Sequence, residues 1–133
     1  MTDKKILVVD DVQSMRLVVK YTLEEMGYKF IDQAINGKLA LEMLNTTHYD
    51  LIISDMEMPI LDGLEFLHQL RADEKYKTIP FIMLTAIADK EKINEAINET
   101  ISGYVLKPVN PNILKQRILH ALKVEAEPSG QPA

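Results

Sequence analysis

Five short strand-like runs, each followed by a stretch with helical periodicity, constrain this chain more than any other feature. Ile6-Leu7-Val8-Val9, Leu51-Ile52-Ile53 and the run from Ile79 to Leu84 are near-continuously apolar, not alternating, so they read as strands buried on both faces. Pro80 lies near the start of its run, where a strand tolerates it. Lys29 to Gln33 and Gly103-Tyr104-Val105-Leu106 complete the set. Between them the pattern predicts helices over 14–26, 37–44, 63–71, 90–99 and 111–124. Their inward stripes are Met15, Val19, Thr22, Leu23 and Met26; Ala40, Leu41 and Leu44; Ile93, Ala96 and Ile97; and Leu114, Ile118, Ala121 and Leu122. Alternation of this kind builds an α/β domain with a five-stranded parallel sheet covered by helices on both faces. Right-handed crossovers leave few topologies, and sites in such sheets form outside the carboxyl ends of the strands.

The boundaries carry their own chemistry. Gly27 stands where a helix end takes a left-handed residue, and Asn36-Gly37 turns into the second helix. Asp62 and Glu65 form a capping-box pair, and Asn110-Pro111 supplies a cap followed by a first-turn proline. At 133 residues the chain reads as one domain over 1–124, with a flexible tail or the start of a linker over 125–133. A net charge of −5 argues against nucleic-acid binding, and the lack of cysteine excludes thiol catalysis and disulfides. No apolar run reaches membrane-spanning length and the start lacks a signal peptide, so a cytoplasmic location with no membrane partner is expected.

The strand ends hold the residues that matter. The first ends in Asp10 and Asp11, the third in Asp55, the fourth in Thr85 and the fifth in Lys107. Taken singly each has an ordinary reading: a cap, a turn former, a strand-end hydroxyl, a solvated charge. Together they place reactive groups from four strands on one edge. Converging carboxylates repel one another unless a hard cation intervenes, and Mg²⁺ (or Mn²⁺) suits one or two carboxylates plus a phosphate oxygen. A carboxylate is also a nucleophile toward phosphorus, while an ammonium and a hydroxyl can neutralise and orient the phosphoryl oxygens. The set fits a phosphoryl-accepting aspartate.

Asp10-Asp11, Asp55-Met56-Glu57-Met58-Pro59, Asp62-Gly63, Thr85-Ala86 and Lys107-Pro108 resemble the receiver domain of two-component response regulators, in particular its chemotaxis-type single-domain members. The resemblance spans roughly residues 4–124. It implies a flavodoxin-like sheet of order 2-1-3-4-5 and phosphorylation of Asp55 by a phosphohistidine on a sensor histidine kinase or a histidine phosphotransfer protein. It further implies Mg²⁺ bound by Asp10, Asp11, Asp55 and the backbone carbonyl of Glu57. Thr85 and Tyr104 would be switch residues, the Lys107-Pro108 bond would be cis, and Glu57 and Ile87 would tune hydrolysis of the acyl phosphate. The partners implied are the phosphodonor and a downstream target or effector domain, with a phosphorylation-dependent dimer compatible but not required. Such a domain is a regulator, not an enzyme with turnover.

Some residues depart from that pattern or stay outside it. Thr100 stands where the family usually has glycine, so the end of the fourth helix is expected to be built differently. His48, His68 and His120 match no metal spacing, and the seven methionines read as packing. A flavin-binding module would need a Ser/Thr/Gly-rich phosphate loop after the first strand, and an aspartate-nucleophile phosphatase would need Asp-x-Asp-Gly-Thr there. Asp10-Asp11-Val12-Gln13 supplies neither. A degenerate receiver that only binds partners is the remaining alternative, and the intact acidic set with Lys107 counts against it.

Overall fold

The computed structural model describes residues 3–86 and 90–126, with side chains to residue 122. Ten elements alternate: β1 (Lys5–Val9), α1 (Gln13–Glu25), β2 (Phe30–Ala34), α2 (Gly37–Leu44), β3 (Leu51–Asp55), α3 (Gly63–Arg71), β4 (Phe81–Thr85), α4 (Lys90–Asn98), β5 (Gly103–Leu106) and α5 (Pro111–Ala126). All four strand pairings are parallel, as the apolar runs predict, and the order is β2-β1-β3-β4-β5, as the resemblance implies.

Successive residues of a strand face opposite sides, so each apolar run feeds two cores. Leu7, Val9, Ile52, Phe81 and Met83 pack with α2, α3 and α4 through Ala40, Leu67, Leu70, Ile93 and Ala96. Ile6, Val8, Ile53, Ile82, Leu84 and Val105 pack on the other face with Val19 and Leu23 of α1 and Leu114 and Ile118 of α5. β3 and β4 are buried at every position, whereas the edge strands β2 and β5 each bury one residue fully.

Asp62 and Glu65 exchange bonds as the expected capping box, and Asn36, read as a turn residue, also caps α2 by accepting from the Leu39 N–H at 2.8 Å. Asn110 accepts from Asn112 at 2.8 Å. Each such cap is worth about 1 kcal/mol. Gly27 takes φ 95°, the left-handed end expected for α1.

Three expectations need correction. Ile97 does not pack inward; it is half exposed on α4, whose buried residues are Ile93 and Ala96. α5 continues to Ala126, past residue 125 where the tail was placed, and residues 127–133 lie outside the described ones. The end of α4 is also not rebuilt around Thr100: the threonine itself adopts the left-handed conformation, φ 68°. For a β-branched residue that costs on the order of 1–2 kcal/mol, and neighbouring contacts hold it there. The Arg71 guanidinium, at the end of α3, donates to the carbonyls of Glu99 (3.0 Å), Thr100 (2.9 Å) and Ile79 (3.0 Å). His68, one turn earlier, meets the Glu99 carboxylate at 2.5 Å.

Candidate functional site

The strand order sets the position of the site. From β1 the chain goes outward to β2 and then returns across β1 to β3, so a crevice opens between the carboxyl ends of β1 and β3. Asp10 and Asp11 follow β1, and Asp55 closes β3. One carboxylate oxygen of each lies within 4.8 Å of the other two. Lys107, carried past the end of β5, reaches across β4 to set its Nζ 2.6 Å from Asp55 Oδ1. Its backbone is fixed by a 2.8 Å bond from Lys107 N–H to the Thr85 carbonyl, and the Lys107-Pro108 bond is cis. Thr85 ends β4 fully buried, with its hydroxyl 3.3 Å from the Ala86 carbonyl.

Burial governs the electrostatics. Asp10 and Asp55 are 1% and 2% exposed. Removal from water raises the Asp10 carboxyl from 3.8 to about 6; the Val12 N–H donating to Oδ1 at 2.9 Å lowers it, and the Asp55 charge adds to the rise. Asp55 is also raised, chiefly by burial, with the Lys107 ammonium opposing. Asp10 Oδ2 is buried without a hydrogen-bond partner. The Asp55 oxygen beside Lys107 is not orphaned in the same sense, because it faces an ammonium at ion-pair distance. Three carboxylates against one ammonium, with a buried Asp10 oxygen left without a partner, fit a divalent cation held by oxygen donors.

Several residues shape the site in ways the sequence did not show, Gly63 among them although Asp62-Gly63 carries part of the resemblance. Gly63 opens α3 directly against Asp55: a Cβ there would lie 2.2 Å from the Asp55 carbonyl and 2.9 Å from Met56 Cα. Its N–H donates to the Met56 carbonyl at 2.8 Å, closing the loop after β3. Its φ is not left-handed, so close approach is what requires glycine here; the signal in the sequence is a glycine at a helix start that turn chemistry does not need. Arg16 braces the other wall, donating to the Asp10 carbonyl at 2.8 Å and to Gln33 Oε1 at 2.9 Å. Within the β3–α3 loop, Leu61 N–H donates to the Pro59 carbonyl at 2.8 Å, a γ-turn that forces Ile60 to φ 75°. Pattern reading had no means to find that strain.

The remaining predicted residues stand as follows. Glu57 is exposed, its carboxylate 3.9 Å from Lys92 on the first turn of α4. Tyr104 is 37% exposed on the outer side of β5, beside a cleft of about 490 Å³ that it lines with Lys107, Ile113 and Arg117. Ile87 lies outside the described residues. His48, His68 and His120 form no metal cluster among the described residues.

A family model for the response regulator receiver domain matches residues 6–119. The chain belongs to that family. The receiver is 39% identical over 114 residues to the chemotaxis protein CheY of Pseudomonas aeruginosa, covering 86% of this chain and 92% of that one. The structure of the chemotaxis response regulator CheY4 of Vibrio cholerae superposes with a TM-score of 0.81 at 35% identity, covering 90% of this receiver and 98% of that chain. The receiver domain of a sensor histidine kinase from Pseudomonas aeruginosa, solved with magnesium coordinated in its active-site cleft, gives a TM-score of 0.80 at 26% identity over 91% of this receiver and 98% of that chain. Family, fold and acidic pocket agree. Among the described residues, no helix of the receiver is long and apolar enough to cross a membrane.

Proposed function

We propose that Asp55 accepts a phosphoryl group from a phosphohistidine on a sensor histidine kinase or histidine phosphotransfer protein. The observation that carries this is the Asp55–Lys107 pair at 2.6 Å within the three-carboxylate pocket. A carboxylate oxygen of Asp55 attacks phosphorus, the P–N bond of the donor breaks, and the imidazole leaves with the electron pair and takes up a proton. Lys107 neutralises charge on the incoming phosphoryl oxygens, and Thr85 donates its hydroxyl to one of them. A divalent cation, held by Asp10, Asp11, Asp55 and the Glu57 backbone carbonyl, supplies the rest of the charge neutralisation when bound. The unpartnered Asp10 oxygen supports that assignment.

Acetyl phosphate with Mg²⁺ tests the reading: intact mass rises by one phosphoryl group, and Asp55→Asn shows none. An adduct on Asp55→Asn, or equal labelling in excess chelator, removes it.

The output face is formed by α4, β5 and α5. When the Thr85 hydroxyl turns to the phosphoryl group, the space it leaves is open to Tyr104 from the exposed side, so new charge becomes a change in packing. Half-exposed Ile97 and exposed Leu106 and Ile113 lie on the same elements and suit a protein target or a second receiver. Amide exchange with and without a phosphoryl mimic should change on α4, β5 and α5; change confined to α1 and α2 contradicts this.

A further inference from the structure

The amino edge of the sheet, opposite the acidic pocket, carries a cleft of about 440 Å³. It lies where β4 and β5 begin, with Ile79 and Pro80 leading into one and Ile101 and Ser102 into the other. β4 runs from this cleft to Thr85, so roughly 13 Å of strand separates the two edges. The volume falls in the range of small-molecule sites, about 300–1,000 Å³. Ile79, Pro80, Ile101 and Ala121 give it apolar walls, the last from the inward side of α5.

The ionisable groups around those walls are of one kind. Arg71, Lys77 and His120 line the cleft and, among the described residues, no Asp or Glu does, in a chain of net charge −5. α3 and α4 end on this edge, and the carbonyls of a helix end repel an anion. Arg71 offsets that repulsion here: besides the carbonyls of Glu99, Thr100 and Ile79 it donates to that of Tyr76 at 3.4 Å. The carboxylate that acts on its charge, Glu99, is itself paired with His68. Lys77 meets Glu74 at 3.0 Å, but Glu74 is 87% exposed, and so wet a pair holds the ammonium only weakly.

Thr100 is a second and independent sign. Its left-handed φ of 68° costs energy that a glycine would not. Strain enforced by its surroundings is a mark of ligand clamps and other functional positions. Thr100 lines the cleft beside Ser102, whose Oγ accepts from the Phe81 N–H at 3.1 Å and keeps its own proton to donate. We propose that this cleft binds a small organic anion, a carboxylate or phosphate monoester carried on an apolar ring-sized body. The body fills the space between Ile79, Ile101 and Ala121, and the head meets Lys77, the His120 N–H and the hydroxyls of Thr100 and Ser102. The site is separate from the acidic pocket and does not depend on Asp55 accepting phosphate.

The experiment is an amide NMR titration of the full chain, in excess chelator so that no cation brings an anion to the acidic pocket. The probes are 2-naphthoate, 2-naphthyl phosphate, 2-naphthalenemethanol (the same body, uncharged) and acetate (a head without a body). At least one naphthyl anion should bind with a Kd of about 1 mM or tighter, which a ligand of that size reaches at ordinary efficiency. The tighter of the two identifies the head. Shifts should centre on Ile79, Ile101, Ser102 and Ala121. The alcohol should bind at least tenfold more weakly, and acetate should give no saturable shift. Lys77→Gln combined with His120→Gln, both at exposed positions, should weaken the anion at least fivefold and leave the alcohol within twofold. Thr100→Gly relieves the strain and should still weaken the anion at least threefold, a loss that unfolding does not explain. Failure of both naphthyl anions to bind at ten times that concentration overturns the proposal. So does equal affinity for the alcohol, saturable binding of acetate, shifts centred elsewhere in the chain, or undiminished affinity in either variant.

Discussion

Asp10→Asn should stabilise the metal-free receiver at neutral pH. Burial lifts the Asp10 carboxyl from 3.8 to about 6, so the folded protein binds this proton more tightly than the unfolded chain. A raised acid contributes stability that is fully present below pH 3.8 and is lost as pH climbs through 6. At about 1.4 kcal/mol per unit, the loss by neutral pH is about 3 kcal/mol, of which an amide that cannot ionise should recover roughly 2–3. Asparagine keeps an acceptor for the Val12 N–H and changes volume little, so packing does not confound the result. Urea unfolding in excess chelator, at a pH near 4.5 and again near 7.5, measures it. The variant's advantage should be small at the lower pH and full at the higher. Mg²⁺ should then close the gap, because it stabilises the parent by binding the folded state and the variant much less. An advantage independent of pH, or a variant less stable than the parent near pH 7.5 in chelator, would refute the reasoning.

Gly63→Ala should destabilise the fold by about 2–3 kcal/mol, because its Cβ meets backbone at Asp55 and Met56 instead of a side chain that could rotate away; thermal unfolding checks this, and acetyl phosphate labelling should slow with it. Thr100→Gly should raise stability by roughly 1 kcal/mol in denaturant titrations by removing left-handed strain, net of the entropy glycine adds to the unfolded chain. Arg71→Met should lower stability by at least about 2 kcal/mol, since it strips hydrogen bonds from the carbonyls of Ile79, Glu99 and Thr100. For acyl-phosphate lifetime, the tuning role that the receiver resemblance implies for Ile87 has Ile87→Ala speed phosphate release about tenfold, or about 1.4 kcal/mol in the barrier; a marked effect of Glu57→Gln with none from Ile87→Ala would reverse the ranking.

The parallel sheet and most of the reactive set were legible for one physical reason, while the strand order came from the resemblance and Lys107 follows the half-exposed edge strand β5. Strands buried on both faces leave uninterrupted apolar runs, and the polar residue that ends each run is by construction at the sheet edge. Asp10, Asp11, Asp55 and Thr85 could be read off in that way. What escaped depends on contacts distant in sequence. Thr100 could be seen to conflict with a glycine position, but not that Arg71, 29 residues earlier, would hold the threonine in the strained conformation. Ile97 fits the helical period of α4, yet period alone does not say how wide the covered stripe is. Gly63 and Ile60 answer to backbone close approach and turn closure, which leave no periodic trace.

The uneven burial of the five strands separates two kinds of evolutionary freedom. Asp55 and Thr85 end strands with no exposed position, so substitution there or beside them meets packed neighbours on whichever face the side chain takes. β5 is different: it is pinned at each end, by Ser102 N–H to Phe81 and Lys107 N–H to Thr85, while Tyr104 and Leu106 between the pins stand 37% and 38% exposed. Those outward positions can drift without moving Lys107 relative to Asp55. A receiver built in this way can acquire a new listener by point substitution on one edge strand while its phosphoryl chemistry is inherited unchanged.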